Sequence, residues 1–331
     1  MKALVCGLGS MGKRRIRIMR ERFPDFLICG VDLKKERQES VRDLVSRTDT
    51  DFFKAFKSFH PDVVFVCSPP LTNSEIVLFS LKNGVHTFSE INLTSNGYDE
   101  IIKLASRNNK LAFLSSTFLY NKEINWIIEQ TRKESYVSYR YHTGQYLADW
   151  HPWEDISSFF ISRKETNALR EIMAIEFPWI FKAFGPVVDY KCMTCNLSKL
   201  NLEYPDLIHL ILEHENGSSG ALSFDCVSAK ATRRLEIYNS TCFFEWGGTP
   251  GTLKKYHRGE NKTEHVNLYK DIEKSHDYAD FIIEEPYEKE VETFFKLIDG
   301  PGHLPVYRYE HDQVVIDLID SIEKKYEFCQ K

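Results

Sequence analysis

Ala3-Leu4-Val5-Cys6-Gly7-Leu8-Gly9-Ser10-Met11-Gly12 is the stretch from which the fold is read. Its first four residues are an apolar run that feeds directly into G-x-G-x-x-G. Lys13 to Arg22 follows, with Ile16 and Met19 at helical spacing and neither Pro nor Gly. Glycines at this spacing recur in ordinary loops, so the motif gains meaning only from a strand before it and a helix after it. Both are legible here. A second apolar run, Phe26 to Val31, ends in Asp32, about twenty residues past Gly12, where a carboxylate meets the ribose hydroxyls of a dinucleotide. In this reading Gly7 makes the tight turn, Gly9 admits a pyrophosphate to the backbone, and Gly12 lets helix and strand pack closely. Ser10 and Met11 open a helix whose unpaired N–H groups and dipole favour the phosphates. The Asp32 carboxylate disfavours a 2′-phosphate, so NAD is expected ahead of NADP, although Lys34 and Lys35 follow closely.

The chain has 331 residues, long enough for two domains. A net charge of −5, with no dense basic run, argues against a nucleic-acid surface. No apolar stretch reaches the roughly 18 residues that would span a bilayer. The first residues enter a strand without a charged-then-apolar leader, so no membrane partner and a cytoplasmic location are expected. Eight scattered cysteines suit buried thiols in a reducing compartment better than a disulfide framework. Cys192 and Cys195 form a C-x-x-C, but no second pair or His cluster stands at metal spacing, and no metal is assigned.

Along residues 1–118 short apolar runs alternate with helical stretches. Strands are expected at Ala3–Cys6, Phe26–Val31, Val63–Cys67, Val85–Ser89 and Leu111–Leu114, with helices at Lys35–Ser46, Ser74–Asn83 and Gly97–Asn108. This alternation implies a parallel sheet covered on both faces. Ser68-Pro69-Pro70 and Glu90 each close a strand at its carboxyl end, the edge where open α/β sheets bind ligands. Beyond, in 119–331, the texture changes. A helix over Asn167–Phe184 stops at Gly185-Pro186. Alternating strands follow at Val187–Cys192, Asp206–Glu213, Ser218–Ser228 and Thr232–Tyr238. Strands grouped after a helix suggest a mostly antiparallel open sheet with the helix on one face. Helices are also expected at Tyr287–Asp299 and Tyr309–Glu327, the latter able to pack back on the first domain. The fold class is therefore α/β, a dinucleotide-binding Rossmann domain at 1–118 followed by an α+β substrate and oligomerisation domain at 119–331.

The Gly7–Gly12 turn with Asp32, Ser68-Pro69-Pro70, the Glu90 strand end and the Phe184-Gly185-Pro186 helix close together resemble the glucose–fructose oxidoreductase/inositol dehydrogenase/MocA family nearly end to end. The resemblance implies hydride transfer between a nicotinamide cofactor and a sugar, nucleotide-sugar or polyol carbon. It also implies a homodimer or homotetramer formed through the second sheet. It places Gly7, Gly9, Ser10, Met11, Gly12, Asp32, Ser68, Pro69 and Glu90 at the cofactor.

The family's catalytic motifs are not kept. Its usual E-K-P reads Glu90-Ile91-Asn92, so isoleucine stands for the lysine. Counting back from Phe184-Gly185-Pro186, its D-x-x-x-H becomes Glu171 to Ile175, and the histidine after its Pro-rich turn becomes Asn73. Isoleucine shuttles no proton, yet a hydroxyl losing hydride must lose its proton too. Replacement acid/base groups are sought in Glu171, His151 and Lys164. Trp150, Trp153, Tyr120, Arg170 and Glu176 are candidate sugar contacts, with flat faces for rings and charges for polar groups. Each also has a structural reading: His151 as a loop cap, Glu171 as an ion-pair partner of Arg170 or Lys164, Lys164 and Glu176 as solvated charges, the tryptophans as packing. Two functions follow. One is an NAD-dependent sugar oxidoreductase with a relocated base; the other is a non-catalytic NAD-binding relative serving as sensor or partner.

Overall fold

The computed structural model describes residues 1–150, 160–270, 272, 282–300 and 304–329. The chain begins β1 (Lys2–Cys6), α1 (Ser10–Arg22), β2 (Leu27–Val31), α2 (Lys35–Glu39), β3 (Arg47–Asp49), α3 (Phe52–Phe59) and β4 (Val63–Val66). It continues through α4 (Pro70–Lys82), β5 (His86–Ser89), α5 (Tyr98–Arg107), β6 (Ala112–Leu114) and α6 (Lys122–Thr131). Then come β7 (Ser138–Gly144), α7 (Ala168–Phe184), β8 (Val187–Cys195), β9 (Leu207–His214), β10 (Ser219–Asp225) and β11 (Thr232–Tyr238). The last elements are β12 (Phe243–Trp246), β13 (Lys254–His257), β14 (Lys262–His265), α8 (Glu285–Asp299) and α9 (Tyr309–Cys329).

Two compact units result. Met1–Thr117 groups with Tyr287–Ile316, and Phe118–Pro286 with Asp317–Lys331. Residues 287–316, read from the sequence as part of the second domain, thus join the first. Aromatic packing explains it. Phe65, Phe88 and Phe113 sit side by side on neighbouring parallel strands, with centroids 4.8 and 4.9 Å apart. Phe294 of α8 meets all three edge-on at 5.4–5.7 Å. No pattern within 287–299 names that partner; only the fold does.

The first unit's sheet is six-stranded and wholly parallel, in the order β3-β2-β1-β4-β5-β6. That is the doubly wound order of a dinucleotide-binding fold. Its central strands are buried on both faces, which is why they read as unbroken apolar runs. The expected Lys35–Ser46 helix is instead the five-residue α2 and a 3-10 turn at Arg42–Leu44. None of the α2 side chains is buried, so nothing apolar holds a longer helix to the sheet. Helix α3, which the sequence reading does not expect, buries Phe52, Ala55, Phe56 and Phe59 along one face and leaves Phe53 exposed. Asp51 caps it, accepting from the Lys54 amide at 2.9 Å.

The second unit's sheet has eight strands, β14-β13-β12-β11-β7-β10-β9-β8. Every pairing is antiparallel except β7 with β10. Tyr139, Tyr141, Leu210, Leu212, Leu222, Phe224, Leu235 and Ile237 are buried on one face, and alternate residues point to the other. Helix α7 lies on the buried face, where Phe184 stacks on Tyr139 at 3.9 Å and Trp179 meets Tyr141 edge-on. The aromatic stretch Leu147–Trp153, which reads as alternating, opens with a 3-10 turn at Leu147–Asp149.

Candidate active site

At the head of α1 the three glycines differ in what they do. Gly7 has φ +91°, and a Cβ there would lie 2.3 Å from the Cys67 carbonyl oxygen. A Cβ on Gly12 would lie 1.9 Å from the Gly7 carbonyl oxygen. Both are glycine because backbone already fills the space. Gly9 is different: its φ of −73° suits any residue, and the nearest atom to an added Cβ is Arg37 Nη1 at 3.7 Å. No protein group requires glycine there, and no side chain caps α1 at that position. An open cradle at a helix N-terminus, where Ser10 and Met11 supply the first amides, fits a pyrophosphate.

Asp32 closes the turn from the next strand. Its Oδ2 accepts from the Leu8 amide at 2.8 Å and its Oδ1 from the Lys34 amide at 2.9 Å, with Arg37 Nη1 3.7 Å away. A carboxylate offers about four acceptor positions, so capacity for ribose hydroxyls remains. Ser68 Oγ donates to Asn73 Oδ1 at 2.9 Å, and Asn73 Nδ2 donates to Asn92 Oδ1 at 3.0 Å. Asn73, at the family's histidine position, is thus fixed inside a buried amide pair, while Pro69 is exposed and Pro70 opens α4.

Glu90 is already engaged within the protein. Its carboxylate is held by Arg15, Nε to Oε1 at 2.7 Å and Nη2 to Oε2 at 3.2 Å. Arg15 also binds Glu290 Oε2 at 2.7 Å and the Tyr287 carbonyl at 3.2 Å, and is fully buried. The Glu290 carboxyl also accepts from the Ser116 amide at 2.7 Å, which ties α8 to the end of β6. Burial pushes the Glu290 pKa up, against the pull of Arg15. Replacing Arg15 by Met leaves two buried carboxylates without their cation. The expected loss is about 3–5 kcal/mol, read from the urea midpoint at unchanged m-value. Sequence reading passed over Arg15 and Glu290, because each sits among other charges on a helix that reads as a solvated face.

In the second unit Asn167 caps α7, accepting from the Arg170 amide at 2.8 Å. Glu171 and Ile175 follow one turn apart on one partly exposed face. The Glu171 Oε2 atom is buried and has no hydrogen-bond partner among the described residues. Burial raises its pKa from 4.5 to about 7. Neither Arg170 nor Lys164 makes an ion pair with it among the described contacts. Arg170, itself buried, binds Asp320 and Glu323 of α9. Lys164 is exposed on a 3-10 turn whose carbonyl accepts from Asn167 Nδ2 at 2.9 Å.

The sugar-contact candidates divide. Glu176 is 1% exposed and accepts from Tyr141 Oη at 2.8 Å, Trp179 Nε1 at 2.6 Å and Arg233 Nη2 at 2.6 Å. It is therefore a buried anchor, not a solvated charge. Trp150 donates to the Gln145 carbonyl at 3.2 Å and packs on Leu147, Ile161, Ala168, Tyr204 and Cys226. That contact gives it a packing role. Arg170, committed to two carboxylates, is likewise removed as an open contact. Tyr120 ends a 3-10 turn, Thr117–Tyr120, and is partly exposed. His151 and Trp153 lie outside the described residues. Among the described residues no group of His, Cys, Asp and Glu is arranged to hold a metal.

Residues 1–116 match the sequence model of the Gfo/Idh/MocA group, described as an oxidoreductase family with an NAD-binding Rossmann fold. The match covers the first domain of the chain. Among curated proteins no sequence matches it. Among solved structures, UDP-N-acetylglucosamine 3-dehydrogenase from Acidithiobacillus ferrooxidans is 16% identical, with a TM-score of 0.73 over 98% of this chain and 96% of that one. Levoglucosan dehydrogenase in complex with NADH and levoglucosan is 15% identical, with a TM-score of 0.77 over 98% and 97%. Myo-inositol 2-dehydrogenase from Lactobacillus plantarum is 14% identical, with a TM-score of 0.77 over 99% and 97%. Identities this low establish a common fold from end to end. Ile91 and Ile175, which the resemblance sets at the family's lysine and histidine positions, are both partly exposed, and Glu171 is a titratable group one turn from Ile175 on α7.

Proposed function

We propose that this protein is an NAD-dependent oxidoreductase acting on a hydroxyl of a sugar, nucleotide-sugar or polyol, with Glu171 as its acid/base. The observation that carries the reading is the Glu171 carboxyl, whose pKa of about 7 lets it take a proton and release it near neutral pH. Bound NAD supplies the hydride acceptor. Glu171 takes the hydroxyl proton as the C–H bond breaks, so the carbinol becomes a carbonyl; in the reductive direction the protonated carboxyl returns it. Ile91 and Ile175 contribute no proton. That the structural relatives named above act on cyclitols and sugars supports this substrate class. The test is NADH formation by the purified chain over a panel of cyclitols, hexoses and UDP-sugars. Turnover on at least one supports the proposal, and binding of NAD with no turnover across the panel removes it.

The same reading includes a cytoplasmic homodimer or homotetramer. No disulfide joins the described cysteines, which suits a reducing compartment, and no described helix is long and apolar enough to cross a membrane. The outward face of the second sheet carries Arg140, His142, His209 and Arg234 around Ile211, which is 49% exposed. Glu236 sits between the two arginines, so the patch holds charges of both signs that a second copy can complement. Ile211→Asp is expected to shift the mass measured by light scattering to the monomer, with the melting temperature of the subunit little changed. An unchanged oligomer would move the interface elsewhere.

A further inference from the structure

The inner face of the second sheet carries a guanidinium gripped along one edge and open along the other. Arg233 of β11 donates from Nε to Tyr141 Oη at 2.9 Å and from Nη2 to Glu176 Oε1 at 2.6 Å. Its Cζ lies 4.5 Å from the centroid of the Phe118 ring. Gly248 presses on its stem: a Cβ there would come within 2.6 Å of Arg233 Cβ and 2.9 Å of Cγ, at a φ of +82°. Glycine is required at that point so that the 247–252 loop can close on the arginine. Such a side chain has lost its rotamer freedom before any ligand arrives.

Arg15 shows what a purely structural arginine looks like in this protein. It is fully buried and meets two carboxylates, a hydroxyl and a carbonyl. Arg233 has one carboxylate and one phenol, its side chain is 22% exposed, and Nη1 has no partner among the described residues. A planar fork presents its donors at a spacing that suits two oxygens of one ligand.

We propose that the open edge of Arg233 binds two oxygens of an uncharged sugar or cyclitol, and that Glu176 sets the preference for uncharged over anionic substrates. This rests on the polyol oxidoreductase reading and names its substrate class. Arg233 and Glu176 sum to zero charge, so the fork keeps its donors without a net field that would draw an anion. A carboxylate or phosphate on the open edge meets the Glu176 carboxylate across the width of one guanidinium, in a partly desolvated setting where repulsion is weakly screened. Vicinal hydroxyl oxygens meet no such opposition.

The test uses the full chain loaded with NADH and titrated with a panel of cyclitols, hexoses and pentoses and the matching uronates, followed by ligand-observed NMR and by KM and kcat. The native protein is expected to bind a neutral member better than its uronate. Arg233→Met should weaken that neutral sugar about tenfold to a hundredfold, the loss expected for charge-assisted hydrogen bonds. The effect should fall on KM, with kcat within a few-fold and NADH affinity unchanged. Glu176→Gln keeps the size of the side chain and one accepting oxygen for the Arg233 fork but removes the compensating charge, and should raise the uronate-to-neutral affinity ratio by about tenfold or more. Arg233→Lys retains the charge without the fork, and should keep the melting temperature near native while weakening the neutral sugar. A neutral sugar bound equally by native and Arg233→Met protein overturns the subsite, as does an unmoved ratio in Glu176→Gln. No binding of any panel member by the native chain overturns the polyol reading itself, and the subsite with it.

Discussion

Glu171→Gln is expected to lower kcat for sugar oxidation by roughly 10²- to 10⁴-fold, the range for a lost general acid/base, with NAD affinity unchanged. Gln keeps the size and polarity of the side chain and removes only its capacity to titrate. The native rate should climb as pH rises through about 7, because the base must be ionised to take the hydroxyl proton. That limb should be missing from the residual activity of the variant. Stability gives an independent check of opposite sense. Burial raises the folded pKa above the ordinary 4.5, so between 4.5 and about 7 the folded state binds more protons than the unfolded one. Stability must then fall as pH rises through that window. Glu171→Gln should be more stable than the native chain at pH 8, by a margin on the order of 1–3 kcal/mol, and no more stable at pH 4. A group that costs stability at the pH where it works is the signature of a functional carboxyl. If the variant loses activity and also stability at pH 8, Glu171 holds the helix in place and is not the base.

The parts of this protein legible in its sequence are those whose cause is local. Gly7, Gly12 and Asp32 stand where a tight turn and its closing carboxylate must be, and Val63–Val66 reads as a buried strand because parallel sheets bury both faces. The run Thr232–Tyr238 reads as a strand because its alternation is the alternation of a half-buried sheet. What could not be read depends on partners far along the chain. Nothing near Arg15 announces Glu290, and nothing near Glu90 says that its carboxylate is already taken. Glu171 was legible as a candidate by position, but its pKa is a property of what buries it. The same distance rule explains Arg233: it stands beside Arg234 in an ordinary basic pair, and strand alternation sends one inward to Glu176 and the other outward to Glu236.

Gly9→Ala and Gly12→Ala, one turn of helix apart, are expected to fail in different ways. At Gly12 the new methyl group would fall 1.9 Å from the Gly7 carbonyl oxygen, and backbone cannot give way as a side-chain tip can. The helix must back off the strand, and the melting temperature should drop sharply, by more than the roughly 1–3 kcal/mol of ordinary overpacking. Cofactor binding would be lost with the fold. At Gly9 the backbone already lies at φ −73°, and the methyl would meet only Arg37, at an ordinary contact distance of 3.7 Å. The methyl meets no clash, and the gain of about 0.4–1 kcal/mol from losing a glycine in the unfolded chain offsets the poorer N-cap that Ala makes at the head of α1. A pyrophosphate on the α1 amides is not indifferent, because it needs the same space. The expected result is a variant that melts near the native temperature and binds NADH, measured by its fluorescence, at least tenfold more weakly, about 1.4 kcal/mol. Only a ligand can make that residue costly. Unchanged NADH affinity in a well-folded Gly9→Ala protein would mean that the cofactor takes another path across the turn.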